Sequence, residues 1–289
     1  MKTIKQLSIL LVLASTTFHA QGRFDAVEIT TTKLTEHTYM LEGAGGNIGI
    51  SVGDGGVFVI DDQFAPLSEK ILAAIKTISD QPLKFLVNTH FHGDHTGGNE
   101  NMEKAGAIII AHDNVKKRLV EKESSKAALP VITFNDKLNL TINGESIAVF
   151  HVANAHTDGD ALLYFTESNV LHTGDTYFNG RYPYIDLNSG GSVKGYIEAA
   201  KKGLILIDDD TKIIPGHGKL ANKTDYKTFL TMLETLATNI QNAIDAGKTE
   251  DEVKNDSSLT KLYDDLDYGT GFINSEKIRL TFYKSLKEI

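Results

Sequence analysis

Apolar and polar positions alternate along the chain with two different periods, and each change of period marks an element. From residue 27 the segments VEITTTKL, HTYMLE, NIGISV and GVFVID follow closely, divided by Gly, Asn and Asp, which predicts antiparallel strands joined by short turns. Pro66 then opens a helix in which Leu67, Ile71, Leu72, Ile75 and Ile78 recur at helical spacing, and KFLVN follows as a buried strand. A second round repeats the order: SIAVFHV, DALLYF and NVLHTGD as strands, GSVKGYIEAAKKGL as a helix, TKIIPGHG as a last strand with its loop. Phe229, Leu233, Leu236, Ile240 and Ile244 line one face of an amphipathic helix that Gly247 terminates. Two such rounds without a linker between them predict an α/β fold: stacked sheets inside helical layers, in one domain over residues 21–289.

Residues 1–20 break this pattern. Lys2 and Lys5 precede the apolar run Leu7 to Leu13, and small and polar residues lead to FHAQG, the pattern of a secretory signal peptide cleaved after Ala20. Phe18 is bulky where a small residue is usual, so cleavage near Ala14 or Ser15 is the alternative. The apolar run is shorter than the roughly 20 residues of a membrane span. An uncleaved anchor is the lesser reading, and no span is expected in the mature chain. Loss of two lysines and no acid takes the formal charge from −9 to −11. With that charge and no basic stripe, nucleic acid is excluded as a partner. The expected location is periplasmic or secreted, and the absence of cysteine excludes disulfides and thiolate metal ligands there.

The chemistry concentrates in VNTHFHGDHTGGN, Val87 to Asn99, with three histidines and an aspartate within six residues. His90 and His92 are two apart, so on an extended segment their side chains share a face, whereas on a helix they diverge by about 200°. Asp94 continues that face. His95 projects the other way, at a turn where Gly97 and Gly98 let the backbone bend before a helix capped by Asn99. One ion can take His90 and His92, and a neighbouring ion Asp94 and His95. Imidazoles and carboxylates suit zinc, and two adjacent sets invite a two-metal site with ions about 3.5–4 Å apart. Further ligands stand at predicted strand ends: His156 in NAHTDGD, Asp175 in LHTGDTY and His217 in IIPGHG.

HFHGDH together with AHTDGD, HTGD and PGHG resembles the metallo-β-lactamase superfamily over nearly the whole mature chain. The resemblance implies an αββα sandwich of two mixed β-sheets flanked by helices, with two Zn2+ at their shared edge. His90, His92 and His156 would hold the first zinc, Asp94, His95 and His217 the second, and Asp175 would bridge them, as in the glyoxalase II-like branch. The best-known β-lactamase subclass places cysteine where Asp175 stands and a substrate-binding lysine three residues later, where this chain has Phe178. The flavodiiron branch carries glutamate where His92 stands. Persulfide dioxygenases keep the whole HxHxDH pattern around one iron and are the rival reading.

The expected function is therefore a metallo-hydrolase of a small molecule, with a β-lactam or lactone-type cyclic amide or ester as first substrate and a thioester as alternative. Zinc lowers the pKa of bound water to about 7, so no serine or cysteine nucleophile is needed. Asp94 is the expected catalytic residue, relaying a proton. Tyr177, Arg181 and Tyr182, in DTYFNGRYPYIDLNSGG, are candidate substrate contacts. Asp61, ending GVFVID, is either an orienting group behind the ligands or a plain turn residue. His37, His112, His151 and His172 are read as structural. A non-catalytic zinc scavenger is disfavoured, because a closed structural site needs only four ligands and seven candidates are present.

Overall fold

The computed structural model describes residues 22–287, so the expected leader, residues 1–20, lies outside the described residues. Strands β1 (Thr30–Lys33), β2 (Thr38–Glu42), β3 (Ile48–Ser51) and β4 (Val57–Ile60) form the antiparallel meander. Helix α1 (Ser68–Ile78) leads to β5 (Leu83–Asn88), then come the short helices α2 (Gly93–Thr96) and α3 (Asn99–Lys104). β6 (Ile108–His112), α4 (Asp113–Glu121) and β7 (Ile132–Phe134) complete a seven-stranded mixed sheet of order β1 to β7, parallel from β4 onward.

The second sheet contains β8 (Lys137–Ile142), β9 (Glu145–His151), β10 (Ala161–Phe165), β11 (Val170–His172) and, after helix α5 (Val193–Leu206), β12 (Lys212–Ile214). Its order is β12-β11-β10-β9-β8, antiparallel except for the β11–β12 pair. Helices α6 (Lys223–Asp245), α7 (Glu250–Asn255), α8 (Lys261–Asp264) and α9 (Ser275–Lys287) follow. Among the described residues no helix is long and apolar enough to cross a membrane.

Strand alternation decides the layers. Phe58 and Ile60 of β4 face the second sheet, whose Leu163 and Phe165 face back, and the Phe58 and Phe165 rings meet edge-to-face at 5.9 Å. Val57 and Val59 point outward onto Ile71 and Ile75 of α1, while Leu162, Leu171 and Ile213 point outward onto α5 and α6. Both faces of both sheets are thus apolar, which explains why central strands such as FLV and ALLYF read as continuous runs. The result is the expected αββα sandwich.

Pro66 is the second residue of a 3-10 turn, Ala65–Leu67, that runs into α1, and Gly247 follows the end of α6 at φ +82°. The sequence pattern above did not single out β6, β7, β8, α4 or the helices after α6. Asn99 is corrected from helix cap to buried first helical residue, with Gly98 at the cap. Its amide exchanges two hydrogen bonds with the Asn88 amide at 3.0 and 2.9 Å, clamping the end of β5 to α3 beneath the histidine cluster.

Replacing Asn99 with Ala leaves the buried Asn88 carbonyl oxygen without its donor. Such an atom costs about 1–3 kcal/mol. The expected result is a lower urea midpoint with an unchanged m-value; an unmoved midpoint would show that the pair contributes nothing.

Candidate metal centre

The ends of five strands converge at one edge of the sandwich. Asp61 follows β4, the His90–His95 segment follows β5, His156 lies between β9 and β10, Asp175 follows β11 and His217 follows β12. All seven residues expected as ligands meet there. Donor atoms of His90, His92, His156 and Asp175 form one group and those of Asp94, His95 and His217 a second, each within 4.8 Å internally.

Asp175 stands between the groups. Its Oδ2 lies 3.8 Å from His90 Nε2 and 3.5 Å from His156 Nε2, while Oδ1 lies 3.0 Å from His95 Nε2 and 3.4 Å from His217 Nε2. Asp94 Oδ2 is 3.3 Å from His217 Nε2. Close approach requires glycine here: a methyl on Gly46 would overlap the His95 ring, and one on Gly216 would overlap the Asp175 carboxylate.

The hydrogen bonds behind the ring determine which nitrogens can bind a cation. His156 Nδ1–H donates to the Tyr184 carbonyl at 2.8 Å, leaving a lone pair on Nε2. His92 Nε2–H donates to Asp186 Oδ2 at 3.1 Å, leaving a lone pair on Nδ1. These two lone pairs face each other at 2.8 Å. His95 Nδ1–H donates to Asp61 Oδ2 at 2.7 Å, so Nε2 is the nitrogen that faces the Asp175 carboxylate and is free for a cation once its proton is displaced. The Thr89 hydroxyl donates to the same Asp61 oxygen and accepts from His90 Nδ1–H at 3.1 Å, turning the His90 Nε2 lone pair inward as well.

The rings of His90, His92 and His156 therefore aim acceptors at a carboxylate oxygen and at one another, and His95 turns Nε2 toward the same carboxylate. His90 Nε2, His95 Nε2 and Asp175 Oδ1 are buried without hydrogen-bond partners. Like poles packed this way repel unless cations lie between them, so the residues present fit a metal centre.

The charge states agree. Burial holds His90 well below the usual imidazole range and pushes His156 down to about 4, so both are neutral ligands. Burial works against charge on Asp175, Asp94, His95 and His217, but opposite charges outweigh it. The Asp175 carboxyl falls well below its ordinary range through His95 and His217, and Asp94 falls to about 2 through His95 and His217. His95 rises well above its ordinary value beside Asp175, Asp61 and Asp94, and His217 rises to about 9 beside Asp175 and Asp94. Protons on those two rings supply the positive charge that a dication would replace.

Of the candidate substrate contacts, Arg181 and Tyr182 border a cavity of about 440 Å3 that opens onto His92, Asp94, Asp175 and His217. Tyr177 is corrected to a core residue: fully buried, its ring packs on Tyr226 and Phe229. The backbone at Tyr177 is extended, so neighbouring side chains diverge and Phe178 takes the cavity side, stacked on His217 at 4.9 Å. Tyr182 shows the cavity little surface, and its hydroxyl donates to Asp264 Oδ1 at 2.7 Å.

Asp61 is an orienting group, bonded to His95 and to both the backbone and hydroxyl of Thr89. His172 is structural in a way that serves the site: Nε2–H donates to the Asn47 carbonyl and Nδ1 accepts from Gly174 N–H, fixing the turn that carries Asp175. His112 and His151 stack on each other at 3.9 Å, and His37 is exposed. Asp186, Thr89 and the aromatics Phe64 and Phe272 were not singled out from the sequence, whereas Tyr184, which shares the loop of Arg181 and Tyr182, lines the cavity as the aromatic character of that loop suggests.

Known proteins agree with this geometry. The sequence profile of the metallo-beta-lactamase superfamily matches residues 37–217. A hydroxyacylglutathione hydrolase from Polaromonas sp. is 28% identical over 209 residues, covering 71% of this chain and 73% of that one. A 2,4-dinitroanisole O-demethylase subunit alpha from Nocardioides sp. is 24% identical over 199 residues, covering 68% of this chain and 59% of that one. Among solved structures, a metallo-beta-lactamase from Pontibacter korlensis superposes with TM-score 0.64 at 19% identity, over 72% of this chain and 99% of that one. A stereoselective inverting sec-alkylsulfatase from Pseudomonas sp. superposes with TM-score 0.69 at 17% identity, over 89% of this chain and 50% of that one. At such identities the superpositions show the fold alone. With the family profile spanning every residue of the His/Asp cluster, the chain belongs to the metallo-beta-lactamase superfamily, among its metallo-hydrolases.

Proposed function

We propose that the protein is a binuclear zinc hydrolase that cleaves an acyl bond in a small molecule. His90, His92 and His156 would hold one ion, Asp94, His95 and His217 the other, and Asp175 would touch both. The observation that carries this reading is the inward set of lone pairs around Asp175, whose two oxygens address the two groups separately. Bound there, zinc supplies a water of lowered pKa and a Lewis acid for the acyl oxygen.

The chain's own residues supply the rest. Asp94, ionised and partly open to the cavity, accepts a proton on its carboxylate and returns it to the leaving group. Asp61, Thr89, Asp186 and the Tyr184 carbonyl hold the ligand rings in their binding tautomers. Phe178, Tyr184 and Phe64 keep the cavity wall apolar and limit water. Arg181 is exposed at the rim, and among the described residues it makes no ion pair or side-chain hydrogen bond, so its guanidinium is available to a substrate anion.

For the substrate, we infer a cyclic amide or ester, a β-lactam or lactone, bearing an anionic group that Arg181 meets. An enzyme exported by the leader at residues 1–20 encounters such molecules in a periplasmic or extracellular setting. The second reading is a thioester. It is favoured by the similarity to the hydroxyacylglutathione hydrolase of Polaromonas sp., and disfavoured by the proposed export, because glutathione conjugates are mainly cytoplasmic.

Three outcomes are expected. Elemental analysis of the purified protein gives two zinc ions per chain, and Asp175→Ala weakens one of them selectively, because a shared carboxylate offsets the repulsion between two dications; one iron per chain would sink the proposal. Asp94→Asn, with zinc loading matched, lowers kcat by about 10²–10⁴ while the unfolding midpoint moves little; full turnover would remove Asp94 from the mechanism. Across a panel of penicillins, carbapenems, lactones, aryl esters and thioesters, Arg181→Ala raises KM for anionic substrates more than it lowers kcat. Identical kinetics on every anionic substrate would show that Arg181 binds none of them.

A further inference from the structure

The family match ends at residue 217, yet the cavity wall does not. Phe272 and Ile273, from the loop between α8 and α9, line the same cavity as His92, Asp94, Asp175 and His217. Ile273 is buried in the helical core, whereas the Phe272 side chain next to it is 76% exposed. An isolated exposed aromatic needs no explanation, but this one stands over the reaction site.

Phe272 is held there by its surroundings. Tyr182 N–H donates to the Tyr268 carbonyl at 3.1 Å, and the Tyr182 hydroxyl shares Asp264 with Ser275 and Thr260, so both ends of the loop are tied to the segment that carries Arg181 and Tyr184. The Phe272 ring meets Tyr184 edge-to-face at 5.8 Å and 86°, and the Lys277 ammonium lies 4.9 Å from its centroid. Tyr184 in turn lies 5.8 Å from the His92 ring and 5.6 Å from the His156 ring. A continuous aromatic surface therefore starts at the ligand histidines and runs outward to Phe272. A rigid ring exposed beside such a surface gains contact area when an apolar group covers it, at little entropic cost.

We propose that Phe272, from the C-terminal segment, and Tyr184 form the specificity wall of this site, and that they select substrates with an apolar, planar group on the carbonyl carbon. Tyr184 touches the ligand rings directly, so the group it grips is the one adjacent to the scissile bond. Arg181 flanks the same loop, its Cδ 3.9 Å from the position a Gly271 side chain would take, and it receives the anionic part of the same substrate. The substrate class is thus an aryl- or arylalkyl-acyl compound with a negative charge. This assignment rests on the acyl-hydrolase reading for its reaction, and on the wall alone for its binding.

The test uses the zinc-loaded full-length protein, Phe272→Ala and Phe272→Leu. Isothermal titration with phenylacetate and with acetate measures binding without turnover; hydrolysis of phenylacetyl and acetyl esters of one common alcohol measures selection. The preference for phenylacetyl over acetyl is expected to fall about tenfold in Phe272→Ala, in both affinity and kcat/KM, and to be partly restored by Leu. Preferences unchanged in Phe272→Ala overturn the wall even if the esters are cleaved. If neither these esters nor any lactam, lactone or thioester of the panel is cleaved but phenylacetate binding still depends on Phe272, the wall stands and the acyl-hydrolase reading falls.

Discussion

A single buried carboxylate ties the sheet to the site. Asp61 leaves β4 in the left-handed region at φ 62°, a conformation that costs a non-glycine residue on the order of 1 kcal/mol or more. In exchange its two oxygens accept three hydrogen bonds at 2.7 Å, from the Thr89 backbone, the Thr89 hydroxyl and His95 Nδ1. Those bonds fix the end of β5, set the tautomer of His95 directly and that of His90 through Thr89. The neighbouring Asp62 is held well above the usual carboxyl range, first by burial and then by the charge of Asp61 itself. Of the two adjacent buried acids, Asp61 does the orienting through its hydrogen bonds, and Asp62 is kept toward its neutral form.

From that anchor the site follows by sheet geometry. Strands β4 and β5 are parallel neighbours, so their C-terminal ends lie side by side, and β11 and β12 bring Asp175 and His217 to the same edge for the same reason. The two sheets contribute opposite parts: the first supplies His90, His92, Asp94 and His95, the second His156, Asp175 and His217. Neither set alone satisfies its own lone pairs. The packing of Phe58 on Phe165 and the meeting of donor atoms around Asp175 are thus consequences of one sheet-on-sheet registration.

Much of this was legible in the sequence because it depends on short-range spacing. Short apolar runs between turn residues gave the strands, and HFHGDH exposed its chemistry because two imidazoles two residues apart on an extended segment can share a partner. What escaped depends on contacts far apart along the chain. Asp186 acts on His92 across 94 residues and carries no local signal, and His172 reaches Asn47 across 125. Tyr177 and Phe178 were indistinguishable until the register of one extended residue decided which faced the cavity. Asn99 has the composition of a cap, and its role as half of an amide pair appears only when β5 lies beneath it. Phe272 lies beyond the strands whose pattern made the fold readable, in a loop whose placement is dictated by Asp264 and Tyr182.

The unpaired donors of the site have a thermodynamic meaning for the whole chain. A folded protein that holds lone pairs against lone pairs and a carboxylate against buried imidazoles carries repulsion that the unfolded chain, solvated by water, does not. Protons on His95 and His217 relieve part of it, which is why both rings are held above their ordinary values despite burial. A cation that binds the folded state relieves more, and whatever binds only the folded state stabilises it by mass action. Affinity for the ion and stability of the sandwich are therefore one linked quantity, and Asp61 sits at the link. It aligns the acceptors whose mutual repulsion a metal removes, and it does so through hydrogen bonds belonging to β5 as much as to the site.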